Sequence, residues 1–109
     1  MNSFIDLHLH SSESDGILSP REVVLLAAAH GVRMLALTDH DTTSGLEEAQ
    51  AAARQQGLDF VTGTEVSASW GGRAIHVLGL AIDPAAAPLV AGLERTRALP
   101  APAALAEAL

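Results

Sequence analysis

The sequence predicts an α/β fold built on a largely parallel sheet, and three observations predict it. Apolar runs of strand length alternate with two segments that carry helix-start signals, the order a parallel sheet requires. The first run, Phe4 to Leu9, alternates strictly: Ile5, Leu7 and Leu9 on one face, Asp6, His8 and His10 on the other. Histidines and carboxylates then gather at the carboxyl ends of the apolar runs, where sheets of this class form their sites.

Each element follows from local chemistry. Period-two alternation makes Phe4 to Leu9 a strand and puts both histidines on one side. Ser19-Pro20-Arg21-Glu22 opens a helix, with Ser19 as N-cap, Pro20 in the first helical position and Glu22 closing a capping box. Val23, Leu26, Ala27 and His30 make its expected buried stripe, and Gly31 ends it. Val32 to Thr38 is the second strand and delivers Thr38-Asp39-His40-Asp41 at its end. Ser44 and Glu47 repeat the capping-box pattern, opening a helix to about Gln56 with Gly57 as its stop. Leu58 to Val66 is a third strand carrying Glu65, Trp70-Gly71-Gly72-Arg73 a turn, and Ala74 to Ile82 a fourth strand carrying His76.

The last stretch has a different composition. Asp83 to Leu109 holds ten alanines, four of the five prolines and no histidine. One helix is expected within Pro84 to Leu99, starting near Pro84 and Ala85 and broken by Pro100-Ala101-Pro102, with Ala103 to Leu109 a short helical end or a frayed tail. The expected division is therefore residues 1–83 and an Ala/Pro-rich tail of residues 84–109, with no internal repeat.

Composition bounds the rest. At 109 residues the chain is one small domain at most, and at 49% hydrophobic but 3% aromatic its core is aliphatic. It has no cysteine, which excludes disulfides and thiolate zinc sites and fits a cytoplasmic setting. Met1 to Ile5 shows no basic start of a signal peptide, and no apolar run approaches the roughly 18 residues of a membrane span. The formal net charge of −7 disfavours nucleic acid except at a local site. Part of that charge lies in the motifs, at Asp6, Asp15, Asp39, Asp41 and Glu65, and gathered carboxylates repel one another unless divalent cations neutralise them.

Six residues form the candidate metal set: His8, His10, Asp15, His40, Glu65 and His76. They account for four of the five histidines. A lone strand histidine is usually a satisfied polar residue. Two of them about 7 Å apart along one face can grip one ion, and Asp6 is available to orient an imidazole. Asp15, in Ser14-Asp15-Gly16, has the plain reading of a turn residue. His40 has none, because three ionisable residues directly after a buried strand are costly unless paired or metal-bound. Asp39 and Asp41 have helix N-terminal charges as their plain reading. Glu65 ends an apolar strand in a chain poor in basic residues, and its two oxygens suit it to bridging two ions. His30, in the last turn of a helix, is assigned to the helix dipole and left out. Ser11, Ser12 and Thr38 are hydroxyls within reach of a phosphate, though such groups usually bond locally. Nitrogen and oxygen donors without thiolate suit manganese, zinc or iron, and a cluster of such sites suits hydrolysis by metal-activated water.

Taken together, Asp-Leu-His-Leu-His-Ser, Ser-Asp-Gly, Leu-Thr-Asp-His-Asp-Thr, Gly-Thr-Glu and Ile-His-Val-Leu-Gly resemble the PHP (polymerase and histidinol phosphatase) domain. The nearest match is its TrpH/YciV-like branch of metal-dependent phosphoesterases, over residues 3 to about 83. The resemblance implies the N-terminal part of a distorted (β/α)₇ barrel, here strands and helices followed by a β-hairpin. It implies up to three divalent ions, Mn²⁺ first and Zn²⁺ or Fe²⁺ as alternatives. His8, His10 and Glu65 would hold one, Asp15 and His40 the second, and Glu65 would bridge to a third that His76 also binds. Asp15, His40 and Glu65 are the implied catalytic residues, and the implied substrate is a nucleotide or short-RNA phosphate ester. A further histidine and a late Asp-x-His motif complete the family's site, and neither follows His76.

Three readings compete. A phosphoesterase is the first. The second is a truncated, non-catalytic metal-binding fragment that needs a partner chain, and an exposed sheet edge would let two copies pair. The third, an amidohydrolase, shares His-x-His on a first strand. The Ser-Asp-Gly and Thr-Asp-His-Asp motifs argue against it, and the chain has no lysine to carbamylate.

Overall fold

The computed structural model describes residues 4–98. The elements run β1 (Phe4–Leu9), α1 (Pro20–Ala29), β2 (Val32–Leu37), α2 (Leu46–Gln55), β3 (Asp59–Trp70), β4 (Arg73–Leu80) and α3 (Ala87–Ala98). The four strands lie in sequence order in one curled sheet. β1 pairs with β2 and β2 with β3 in parallel, and β3 pairs with β4 antiparallel. The α/β class and the terminal hairpin are as expected.

Two parallel pairs need two crossovers, and α1 and α2 supply them. The core they close is aliphatic: Val23, Val24, Val32, Leu35, Leu37, Leu46, Ala49, Ala52 and Ala53 form one buried cluster. Small alanines on α2 let that helix sit close to the sheet. Ser19 caps α1 as expected, its side chain taking the Glu22 N–H while the Glu22 carboxylate takes the Ser19 N–H.

Four local expectations are corrected. The buried residues of α1 are Pro20, Val23 and Val24, whereas Leu26 is 50% exposed and His30 is exposed. Leu26 instead lines an open groove beside β1 with Phe4, Leu9, Leu18, Val23 and Val32. The second helix starts at Leu46 with Gly45 at its N-cap and no side-chain cap, because the Ser44 hydroxyl donates to Glu13 Oε1 across the fold. The third strand runs on to Trp70, so that residues 63–70 pair in unbroken register with residues 73–80. Positive φ at Gly71 and Gly72 closes that hairpin in two residues. The tail helix begins at Ala87, and Leu99 to Leu109 lie outside the described residues.

Ala81, directly after β4, has φ 56°, a left-handed conformation in which its Cβ is crowded. Its N–H donates to Thr62 O at 2.7 Å and holds it there. Ala81→Gly is therefore expected to stabilise the chain by about 0.5–1 kcal/mol, the relief of strain outweighing the added freedom of the unfolded chain. Urea unfolding of both chains checks it.

Candidate metal centre

β1 contributes the first two donors. Its alternation carries His8 and His10 to the same side, and both imidazoles reach one atom: Nε2 of His8 and Nε2 of His10 lie 2.9 and 2.8 Å from Glu65 Oε1. Asp6 does not orient either ring. Its Oδ1 instead accepts the His8 backbone N–H at 3.1 Å.

β2 contributes the next donor through a backbone device. After Leu37 the parallel pairing resumes as a single bridge between His40 and Glu65. The Glu65 N–H donates to Asp39 O and the Asp41 N–H to Glu65 O, each at 3.0 Å. This locks His40 beside Glu65 in register. Thr64, 1% exposed, reinforces the junction, its hydroxyl placed 3.0 Å from Asp39 O and 3.1 Å from Thr42 O.

Asp15 arrives on the loop after β1. Its Oδ1 lies 2.9 Å from His10 Nδ1 and its Oδ2 lies 3.1 Å from His40 Nε2. Gly16 makes the loop's sharp bend, since a Cβ there would stand 2.8 Å from His10 O. His76 on β4 completes the set, its Nδ1 3.1 Å from Glu65 Oε2. The four rings form a chain, with centroids 5.1, 4.4 and 5.0 Å apart from His8 through His10 and His40 to His76.

All six residues expected from the sequence thus converge. Their donor atoms fall into three groups, each with atoms within 4.8 Å of one another: His8–His10–Glu65, His10–Asp15–His40 and His40–Glu65–His76. His10, His40 and Glu65 are each shared between two groups, a wider sharing than expected. Donors of nitrogen and carboxylate oxygen only, three to a group, fit a divalent cation that keeps open positions for water or substrate.

Glu65 is the hub. Its side chain is 7% exposed, and among the described residues every ion pair to it comes from a histidine. Burial pushes its pKa up, but the His8 hydrogen bond, the His40 charge and the His10 hydrogen bond prevail, so the carboxyl lies below its ordinary value. Asp15 is lowered likewise: desolvation raises it, and contacts with His10 and His40 more than offset that.

The sign for stability follows. Both carboxyls bind protons less tightly folded than unfolded, where their ordinary values are 4.5 and 3.8. Their contribution is fully present above roughly pH 4.5 and is lost as pH falls through the lower folded-state values. Urea unfolding of the metal-free chain between about pH 3 and 6 is expected to show stability falling with acidity, and Glu65→Gln is expected to flatten that slope.

Of the three hydroxyls weighed as phosphate contacts, Ser12 is exposed and the other two are turned to partners within the fold. Ser11 and Thr38 are fully buried, Ser11 on Asp39 and Thr38 on Leu9 O. His30 lies outside the cluster, as expected.

The family model of the PHP domain matches residues 6–93. The chain belongs to the PHP domain family. Over 93 residues it is 56% identical to a 3′,5′-nucleoside bisphosphate phosphatase of Chromobacterium violaceum, covering 85% of this chain and 33% of that protein. Over 99 residues it is 48% identical to a 5′-3′ exoribonuclease of Haemophilus influenzae, covering 91% of this chain and 36% of the relative. Two solved structures superpose closely. One, described as an amidohydrolase of Chromobacterium violaceum with sulfate bound and no metal, is 54% identical with a TM-score of 0.86, covering 88% of this chain and 34% of its own. The other, from Bifidobacterium adolescentis and described as a metal-dependent phosphoesterase, is 35% identical with a TM-score of 0.84 over 90% and 34%. This PHP chain therefore spans about a third of the length of the relatives it matches.

Proposed function

We propose that this chain carries the metal-binding part of a phosphoesterase that hydrolyses a nucleotide or short-RNA phosphate ester. The observation behind the reading is one buried carboxylate, Glu65, held by four histidines with Asp15 bridging two of them. Relatives named for phosphate release and RNA cleavage support the substrate class. His8, His10, Asp15, His40, Glu65 and His76 are the proposed metal ligands, and Asp15, His40 and Glu65 the proposed catalytic residues. Mn²⁺ is the ion proposed first, with Zn²⁺ or Fe²⁺ next, up to three per site. Bound there, such ions acidify water and stabilise charge on phosphoryl oxygens.

The chain's own residues do the rest. Glu65 fixes the spacing of the donor groups, because both its oxygens are engaged from a strand paired on both sides. Asp15, with a side chain 62% exposed, is the most exposed of the six proposed ligands. We further propose that residues 1–83 are the N-terminal portion of the barrel, that residues 84–109 begin its remainder, and that the protein works in the cytoplasm. Among the described residues no helix is long and apolar enough to cross a membrane.

A second reading is favoured by a specific observation. β1 is an edge strand, and Phe4, Ile5 and Leu26 beside it are 53%, 59% and 50% exposed. Such an edge invites pairing, so a metal-binding fragment completed by a second copy or a partner chain is the alternative. Phosphate release from a nucleoside 3′,5′-bisphosphate, measured with Mn²⁺ beside an Asp15→Ala control, decides between them. Turnover that disappears in the control supports the phosphoesterase in this chain. A folded, metal-loaded chain without turnover supports the fragment.

A further inference from the structure

We propose that Asp39 is a positioning residue: it sets the loop that carries Asp15, and so governs the His10–Asp15–His40 group without touching it. The inference rests on the metal reading above. Asp39 is 2% exposed and adjoins the ligand His40, yet its carboxylate engages none of the four histidines. Oδ1 accepts the Ser11 backbone N–H at 2.6 Å and the Ser14 hydroxyl at 2.9 Å, and Oδ2 accepts the Ser11 hydroxyl at 2.7 Å. All three donors come from the four residues that immediately precede Asp15.

A buried carboxylate is costly unless its oxygens are satisfied, and three donors satisfy this one. The arrangement anchors the loop to the end of β2. Within the loop, Ser12 N–H donates to Leu18 O, Ser14 and Gly16 N–H donate to Ser11 O, Glu13 N–H donates to the Ser11 hydroxyl, and the Glu13 carboxylate accepts from Ser44. Asp15 itself is 62% exposed in its side chain, and its ion pairs among the described residues are with the two histidines it would share a metal with. Asp39 is the buried side chain that ties Ser11 and Ser14 to the end of β2. Asp41, on the other side of His40, ties a different segment, accepting the Ser67 N–H and hydroxyl at 2.7 Å each.

The test is a double-mutant cycle read by calorimetric Mn²⁺ titration of the 109-residue chain, with unfolding followed in parallel. Asp39→Ala is expected to weaken binding about 10- to 100-fold, the usual effect of losing a partner that orients a ligand. In an Asp15→Ala background it is expected to add nothing, whereas with His76→Ala its effect multiplies. A general loss of structure would lower affinity equally in both backgrounds, so the contrast separates positioning from stability. Asp39→Asn, which keeps an acceptor for Ser11 N–H and Ser14, is expected to recover most of the affinity. If Asp39→Ala does not fold, Ser14→Ala carries the test, removing one of the three bonds at a half-buried position and weakening binding in the same Asp15-dependent way. A folded Asp39→Ala or Ser14→Ala chain with unchanged affinity, or effects that multiply with Asp15→Ala, overturns the inference alone. An unsubstituted chain that takes up no Mn²⁺ overturns the metal reading and the inference with it.

Discussion

Glu65→Gln is expected to abolish most divalent-metal binding while leaving the chain folded. Two of the three donor groups contain Glu65, and its Oε1 alone lies within 3 Å of two imidazoles. The amide keeps the shape and one acceptor oxygen but removes the charge, and its NH₂ would face an imidazole or the ion. The loss should exceed the roughly 10- to 100-fold that follows removal of an outer partner, because a shared ligand is taken from two ions at once. Titration with Mn²⁺ should show the number of ions bound falling to the one group that lacks Glu65, His10–Asp15–His40. The rings keep their places because backbone pairing holds Glu65 and His40 in register whatever stands at the side chain. A chain that binds the full complement with Glu65→Gln would show that these imidazoles bind metal without the carboxylate, against the bridging role assigned to it.

Most of this centre was legible in the sequence, for reasons that lie in single residues. Alternation along Phe4 to Leu9 put His8 and His10 on one side, and the structure brings both to Glu65. Capping chemistry marked the start of α1, because Ser19 and Glu22 satisfy each other within four residues. The same pattern at Ser44 and Glu47 misled, because the partner that captures Ser44 is Glu13, 31 residues earlier. A local rule cannot see a competitor that only the fold brings near. Leu26 has the spacing of a core residue and yet is half exposed, since the side of β1 it faces is the open edge of the sheet.

The roles of Asp39 and Asp41 were missed, although a signal for them existed. Alternation past Thr38 sets His40 apart from its two acidic neighbours, which was reason to look for their partners away from the ligand cluster. Which partners those are was not legible, because Ser11, Ser14 and Ser67 meet them only through parallel pairing of β1, β2 and β3. Thr64 was hidden for the same reason: nothing local distinguishes a threonine that braces two carbonyls from one that fills a strand.

Leu35→Ala is expected to be the most damaging change to stability, and it tests how tightly the centre depends on the core. Leu35 is fully buried in the second of the four strands, opposite Asp6 on one side and Phe60 on the other. Truncating a buried leucine to alanine costs about 2–5 kcal/mol, part lost burial and part the cavity left behind. For a domain of this size each kcal/mol lowers Tm by roughly 4–8 °C, so a fall on the order of 10–20 °C or more is expected in thermal unfolding. Alanines already occupy 36, 49, 52 and 53 in the core, so few neighbouring side chains are long enough to collapse into the space. β2 also delivers Asp39 and His40, and through Asp39 the arm that bears Asp15. A core lesson follows from comparing the two substitutions. Glu65→Gln should cost metal with modest loss of stability, whereas Leu35→Ala should cost stability first, with metal affinity failing only as the fold does. Saturating Mn²⁺ should therefore restore part of the lost Tm in Leu35→Ala, since a ligand that binds only the folded chain stabilises it by mass action. It should restore less in Glu65→Gln, where two of the three donor groups have lost a ligand.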